Sequence, residues 1–323
     1  MLLVDFGLAC NLNCAYCYAR TSGLWGMAHD PEAQLRTISS CGLTADQEVV
    51  LHGGEPLLEP GKLFAFVDRL RAMVWDLRAI TVQTNGLLLR DLAHDLVERD
   101  IRVGVSLDGD TQEMNVHRGG REVVERVLDG LYAFVSAGGE PGLIAVVTRQ
   151  NIGELIRFVR HLHLELGMKS FRLNPVQLHP ELSPPAEELI GLYLEAYRVS
   201  RRYRIRIDPV ESLLLGARGV NTELMQCSFQ GCDPLRTAVP LVLPDGSLAN
   251  CLKAPAAWDP RTRPGRAEYL RALPWELGGC AGCRWWPVCK GGCPAEGIGG
   301  DPALRSYLCP VWREVRRELS QAR

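Results

Sequence analysis

Nothing in this 323-residue chain limits its folding more than the placement of its twelve cysteines. Cys10, Cys14 and Cys17 sit on one short stretch near the start. Cys227, Cys232, Cys251, Cys280, Cys283, Cys289, Cys293 and Cys309 crowd the last third, and Cys41 stands alone. Beyond about residue 210, prolines, glycines and cysteines cluster and apolar periodicity fades. A segment with so little core needs another source of folding free energy, and metal ligation supplies one. Disulfides would need an oxidising compartment. The opening residues Met1 to Asp5 carry no basic stretch and reach an acidic residue too early for an export signal. The chain is therefore expected in the cytoplasm, where thiols stay reduced and clustered cysteines read as metal ligands.

The first two thirds has a different character. Strand-like apolar runs at residues 2–6, 48–51, 80–83, 103–107, 143–147 and 171–174 each end in small, polar or glycine residues. Amphipathic stretches at 61–74, 92–98, 122–136, 152–166 and 186–203 lie between them. Strands alternating with helices imply an α/β fold with a parallel sheet wrapped by helices. Six such units, with the polar residues just after the strands, predict a partial (β/α)6 TIM-like barrel whose site lies at the C-terminal rim. A doubly wound sheet fits the same periodicity. The change in composition places a domain boundary at 208–220, giving residues 1–208 to the barrel and 209–323 to a small cysteine-rich domain.

Charge narrows the partners. Thirty-six basic residues nearly balance thirty-eight acidic ones, for a net charge of −2. No basic excess suggests nucleic acid, and no apolar run is long enough for a membrane span.

The cysteine spacing points to chemistry. Cys10-Asn-Leu-Asn-Cys14-Ala-Tyr-Cys17 is C-x3-C-x2-C directly after the first strand. Three thiolates on a tight loop can hold three irons of a 4Fe–4S cube and leave the fourth open to substrate or cofactor. A structural zinc site would want a fourth ligand, and no other Cys or His lies nearby in sequence. Near the C-terminus, Cys280, Cys283, Cys289 and Cys293 form C-x2-C-x5-C-x3-C, and Gly246 with Cys251 forms G-x4-C. The first of these alone could also be a zinc knuckle.

The first loop, with Tyr16 just before the last cysteine, resembles the signature of radical S-adenosylmethionine (radical SAM) enzymes. The resemblance extends through strand ends in the family's order: His52-Gly53-Gly54-Glu55-Pro56, Gln83-Thr84-Asn85-Gly86, Ser106-Leu107-Asp108-Gly109, the segment 147–151 and the segment 171–175. It implies that an open iron chelates S-adenosylmethionine and that its reductive cleavage yields a 5′-deoxyadenosyl radical. Gly53, Gly54, Glu55 and Pro56 would meet the methionine amino group. Gln83, Asn85, Ser106 and Asp108 would line the pocket near the ribose and carboxylate, and Arg118 would contact the carboxylate. The C-terminal cysteines resemble a SPASM domain, which carries two auxiliary 4Fe–4S clusters. The resemblance implies one cluster on Cys227, Cys232, Cys251 and Cys293, and another on Cys280, Cys283, Cys289 and Cys309. Only Cys41 is then left over, and a lone cysteine is usually a small buried hydrophobe.

Relatives with this layout mostly modify peptides or proteins. The leading expectation is a maturase for a ribosomally synthesised peptide, served by a reducing donor of flavodoxin or ferredoxin type. Only nine residues precede Cys10, so recognition is expected from a separate partner protein, from the barrel surface, or through a substrate without a leader. The compact layout also resembles anaerobic sulfatase maturases, which form formylglycine. Those place an aspartate after the G-x4-C cysteine, whereas Cys251 is followed by Leu252 and Lys253. Asp233 and Asp245 precede Pro234 and Gly246 and read as turn formers, so no catalytic base is assigned. A small-molecule radical SAM dehydrogenase is a further alternative, and a non-catalytic iron–sulfur carrier is the reading from a different class. Trp285 and Trp286 are expected to pack the small domain.

Overall fold

The computed structural model describes residues 1–21, 27–177, 179–217, 241–249, 278–289, 291–293, 296–298 and 304–321. Cys227, Cys232, Asp233 and Cys251 lie outside them. The chain divides into two compact units. The first comprises Met1–Ala145, His161–Ser170 and Val239–Leu252. The second comprises Val146–Arg160, Phe171–Ala238 and Lys253–Arg323.

The α/β class expected from the alternating pattern is the class observed. In the first unit the strands β1 (Leu2–Asp5), β2 (Glu48–His52), β3 (Ala79–Thr84) and β4 (Ile101–Ser106) are parallel neighbours in chain order. The first half of β5 (Gly142–Val147) adds to β4. Their runs of Val, Ile and Leu are nearly all buried, as expected of parallel strands covered on both faces. Helices α3 (Pro60–Met73), α4 (Leu89–Glu98) and α5 (Arg121–Ser136) follow β2, β3 and β4. Each buries one stripe, as with Leu63, Phe66, Val67 and Leu70 of α3.

Several elements were not anticipated from the sequence. A short α1 (Tyr18–Thr21) follows the first cysteine loop. Helix α2 (Pro31–Ser40) begins where the Asp30 side chain accepts the Ala33 N–H at 2.9 Å and Pro31 fixes the first turn. Cys41 ends this helix and is half-exposed rather than buried, because its position is set by backbone bonds to the last carbonyls of α2. Strands β8 (Leu241–Val242) and β9 (Leu248–Ala249) form a hairpin, and β8 pairs in parallel with β1. Buried Gln34 donates to the carbonyls of Asp5 and Leu243 at 2.8 and 3.0 Å, tying α2 to both strands. Asp245 accepts from the backbone and hydroxyl of Ser247, as a turn former does. Gly246 has φ +82°, and a Cβ there would come within 2.6 Å of Ala33. The glycine of G-x4-C is thus demanded by packing on α2.

The second unit holds the first half of α6 (Leu155–Leu166) and most of β6 (Ser170–Pro175), with α7 (Ala186–Tyr203), β7 (Arg206–Asp208), α8 (Val210–Ala217), α9 (Trp286–Cys289) and α10 (Cys309–Gln321). Helix α10 corrects the expectation that apolar periodicity fades throughout the last third. Val311, Val315 and Leu319 repeat every four residues on its buried face. Trp312 stacks at 5.3 Å on buried Tyr193 of α7. Trp285 is also buried, with the Arg284 guanidinium 4.4 Å from its ring centre, consistent with a packing role. Among the described residues no helix is long and apolar enough to cross a membrane.

Candidate active site

The first cysteine loop is built by extending the pairing of β1 with β2 past both strand ends. Phe6 N donates to the His52 carbonyl, Gly54 N to Gly7 and Glu55 N to Ala9, at 2.6, 2.8 and 2.8 Å. Two glycines make this approach feasible. A Cβ on Gly53, whose φ is +133°, would stand 2.1 Å from Asp5 Oδ1, and one on Gly54 would stand 2.1 Å from the Ala9 carbonyl. The glycines therefore seat the cluster loop itself, a role additional to the cofactor approach expected of them.

Glu55 is 3% exposed and locks the next strand end to this one. Its Oε1 accepts from Leu57 N and Thr84 Oγ1, and its Oε2 from Asn85 N, at 3.0, 2.7 and 2.6 Å. Burial raises its pKa, while those donors and the charge of Arg118 oppose the rise. Pro56, which follows, is also buried. Asn85 carries the connection onward. Its Nδ2 donates to Asn11 Oδ1 at 2.7 Å and faces Cys10 Sγ at 3.8 Å, and its Oδ1 accepts from Leu87 N. Cys10 Sγ also receives the Leu12 N–H.

The other side of the loop meets the end of β4. Tyr16 donates its hydroxyl to Asp108, which is fully buried and whose N–H is held by Asn115 Oδ1 at 3.1 Å. Ala15 N donates to the His117 carbonyl. Arg118 is buried, not solvent-facing, and hydrogen-bonds Tyr16. Burial disfavours its charge, but Tyr16, Cys14 and Asp108 together hold its pKa above the ordinary value. Its Nε has no hydrogen-bond partner. Gln83 and Ser106 are half-buried on β3 and β4 and take no part in this network. Tyr16, Asn11, Thr84 and Asn115 are site residues that motif reading did not assign. Asn115 had a usable signal, since asparagines favour local side-chain bonds to turn backbone.

Cys10, Cys14 and Cys17 are each half-exposed. Burial raises the Cys14 pKa, Arg118 lowers it, and Asp108, Cys17 and Cys10 raise it further, so the three thiols lie within electrostatic reach of one another. No three Cys, His, Asp or Glu among the described residues converge tightly enough for a single metal ion. Ligands of an iron–sulfur cube each bind a different iron and so stand farther apart. Three half-exposed thiols, an amide beside one and a guanidinium beside another, with an unmatched donor, form a donor set that fits such a cube.

The second unit gathers a further set. The Cys280 thiol is pushed up to about 11, first by burial and then by Cys289, Cys309 and Cys283, with Arg305 opposing. Tight turns shape this group: Cys283 N donates to Cys280, Trp286 N to Cys283 and Gly292 N to Cys289. Cys293 lies instead within electrostatic reach of Tyr307. Nearby, buried Glu296 accepts from Gln177 and from Ser306 Oγ, bracing this part of the unit.

Comparison with known proteins agrees with the first site. The chain is 32% identical over 191 residues to an uncharacterised protein of Methanocaldococcus jannaschii, covering 55% of this chain and 65% of that one. It is 33% identical over 161 residues to the GTP 3′,8-cyclase of Geobacter sulfurreducens, covering 47% of this chain and 48% of the cyclase. The chain thus spans less than two thirds of either relative. Its fold matches that of anSMEcpe with bound AdoMet at a TM-score of 0.75 and 19% identity, over 98% of this chain and 95% of that one. It matches Streptococcus suis SuiB bound to S-adenosylmethionine at 0.65 and 16%, over 95% and 74%. Residues 4–162 fit the sequence profile of the Radical SAM superfamily, in agreement with the three-thiol loop at the end of β1.

Proposed function

We propose that this enzyme modifies a peptide or protein side chain by hydrogen abstraction, followed by crosslinking or oxidation. With a 4Fe–4S cluster and S-adenosylmethionine bound, the site supplies a 5′-deoxyadenosyl radical. Cys10, Cys14 and Cys17 would hold the cluster. Asn85 would fix the Cys10 end of the loop, and Arg118 would place positive charge beside Cys14. Glu55 would receive the methionine amino group with the lone pairs its three protein donors leave free, while Gly53, Gly54 and Pro56 shape that end of the pocket. Gln83, Ser106 and Asp108 would line the rest.

Residues 1–208 would form the barrel and 209–323 a SPASM-type domain with two auxiliary 4Fe–4S clusters, one of them on Cys280, Cys283, Cys289 and Cys309. The observation that carries the reading is the end-to-end match in fold to anSMEcpe, in a chain whose last third holds eight cysteines. Structures of anSMEcpe with a peptide and of SuiB with its precursor peptide SuiA add support for a peptide substrate. A second reading, a small-molecule enzyme acting on a nucleotide, is favoured by the 33% identity to a GTP 3′,8-cyclase.

Anaerobic reconstitution should give three cubes, about twelve irons per chain, and 5′-deoxyadenosine on reduction. Incubation with a small peptide encoded beside the gene, and separately with GTP, then decides the substrate. A mass change in the peptide alone supports the proposal; turnover of GTP alone replaces it with the second reading.

A further inference from the structure

One buried charge in the second unit has no part in the radical chemistry above. Arg316 is 1% exposed and is the largest fully buried side chain among the described residues. It lies on α10, seven residues after Cys309, which opens that helix. Seven residues are close to two helical turns, so the two side chains share a face. The Arg316 guanidinium hydrogen-bonds Cys289 and lies within electrostatic reach of Cys309 and Cys283. These three thiols, with Cys280, are the set proposed for an auxiliary cluster. Two more cations, Arg305 and Arg313, act on Cys309 from positions nearer solvent.

A buried guanidinium is costly unless negative charge and hydrogen-bond acceptors surround it. Neutral thiols compensate it poorly. A cluster bound by four thiolates carries net negative charge and has sulfurs that accept N–H bonds. It would supply both charge and acceptors to the guanidinium.

We propose that Arg316 is a positioning residue for the auxiliary cluster held by Cys280, Cys283, Cys289 and Cys309: it hydrogen-bonds the cluster through Cys289, and its fixed positive charge raises the cluster's reduction potential. The inference rests on the proposed auxiliary cluster. Reduction by one electron makes such a cluster one charge more negative, so a nearby cation stabilises the reduced form more than the oxidised one. Burial strengthens the effect, because solvent does not screen the charge. Hydrogen bonds to the sulfurs and net charge are among the determinants of iron–sulfur potentials.

The test is an anaerobic redox titration followed by electron paramagnetic resonance, using reconstituted full-length chain with Cys10, Cys14 and Cys17 replaced by alanine to remove the first cluster's signal. In that background, Arg316→Met and Arg316→Gln each remove the charge, Arg316→Lys keeps it, and Arg313→Met removes an exposed cation for comparison. The neutral Arg316 variants should show about a tenfold lower ratio of reduced to oxidised cluster at fixed potential, equivalent to a shift of about 59 mV for a one-electron couple. Arg316→Lys should recover most of this, and Arg313→Met should move the potential far less. Neutral variants that keep their iron and titrate at the parent potential overturn the proposal. If the neutral variants do not load the cluster, loading by Arg316→Lys alone supports a requirement for positive charge, and failure of all three overturns it. Iron analysis of a Cys280→Ala, Cys283→Ala chain separates the underlying reading. Iron content equal to the parent's would mean that no cluster sits there, whatever Arg316 does.

Discussion

Replacing Asp5 by asparagine should make the protein more stable relative to wild type as the pH rises. Asp5 ends β1 with no exposed surface, and neither carboxylate oxygen has a hydrogen-bond partner. Burial raises its pKa from 3.8 to about 7. A carboxyl raised in this way favours folding while protonated, and that contribution is lost as pH climbs from the unfolded value through the folded one. Between about pH 5 and pH 8 the loss is roughly 2.5 kcal/mol. Its cross-strand register partner, His52, behaves oppositely. It is buried, its Nε2 is unpartnered, and burial lowers its pKa from 6.5 to about 4. Folding therefore gains roughly 2 kcal/mol from His52 over the same rise. The two groups nearly cancel in the wild type, and Asp5→Asn exposes the histidine slope. Scanning calorimetry of the two anaerobic, cluster-loaded proteins at one scan rate checks this. At about 2 °C per kcal/mol for a chain of this size, the difference in apparent Tm, variant minus wild type, should grow by about 5 °C between pH 5 and pH 8. Any fixed cost of packing the amide cancels in that change. A difference that stays constant would mean that Asp5 ionises near its ordinary pKa, as it would if paired with a protonated His52, and the desolvation argument would fail.

Replacing Cys10, Cys14 and Cys17 by alanine should remove about four irons and abolish 5′-deoxyadenosine formation while the auxiliary iron stays; a triple variant that still cleaves the cofactor would sink the site assignment. Asn85→Ala removes the link to Asn11 and the amide beside Cys10. It should weaken iron retention at the first site about 10- to 100-fold, measured by transfer to a chelator. Gly54→Ala forces a methyl to within 2.1 Å of the Ala9 carbonyl. It should cost about 1–3 kcal/mol and lower iron occupancy at the first site, whereas Gly61→Ala, where a Cβ meets nothing, should leave iron content unchanged.

The alternating pattern foretold β1 to β6 and α3 to α7 to within a few residues, because strands covered on both faces need unbroken apolar runs and the helices over them need one apolar stripe. C-x3-C-x2-C was equally legible, since three ligands on one loop are set by spacing alone. What the sequence did not contain was the meeting of distant strand ends. Glu55, Thr84 and Asn85 are joined by hydrogen bonds across about thirty positions of chain. Arg118 reaches Tyr16 across roughly a hundred. Periodicity reports which face of an element is buried but not what that face touches. The short strands β8 and β9 gave no periodic signal, being two residues each. Only pairing with β1 and the hold of Gln34, Thr37 and Ala33 on their turn brought residues 241–249 into the first unit. Arg316 is the sharpest case. Arginine in an amphipathic helix reads as a solvated residue, and only the folded arrangement of α10 against Cys289 buries it. The sequence by itself determined which residues can ligate metal and which runs must be strands, because both depend on local spacing. The tertiary structure decided which charges are stripped of water and beside which thiols they lie, because desolvation and Coulomb energy depend on distances between segments that the chain order does not set.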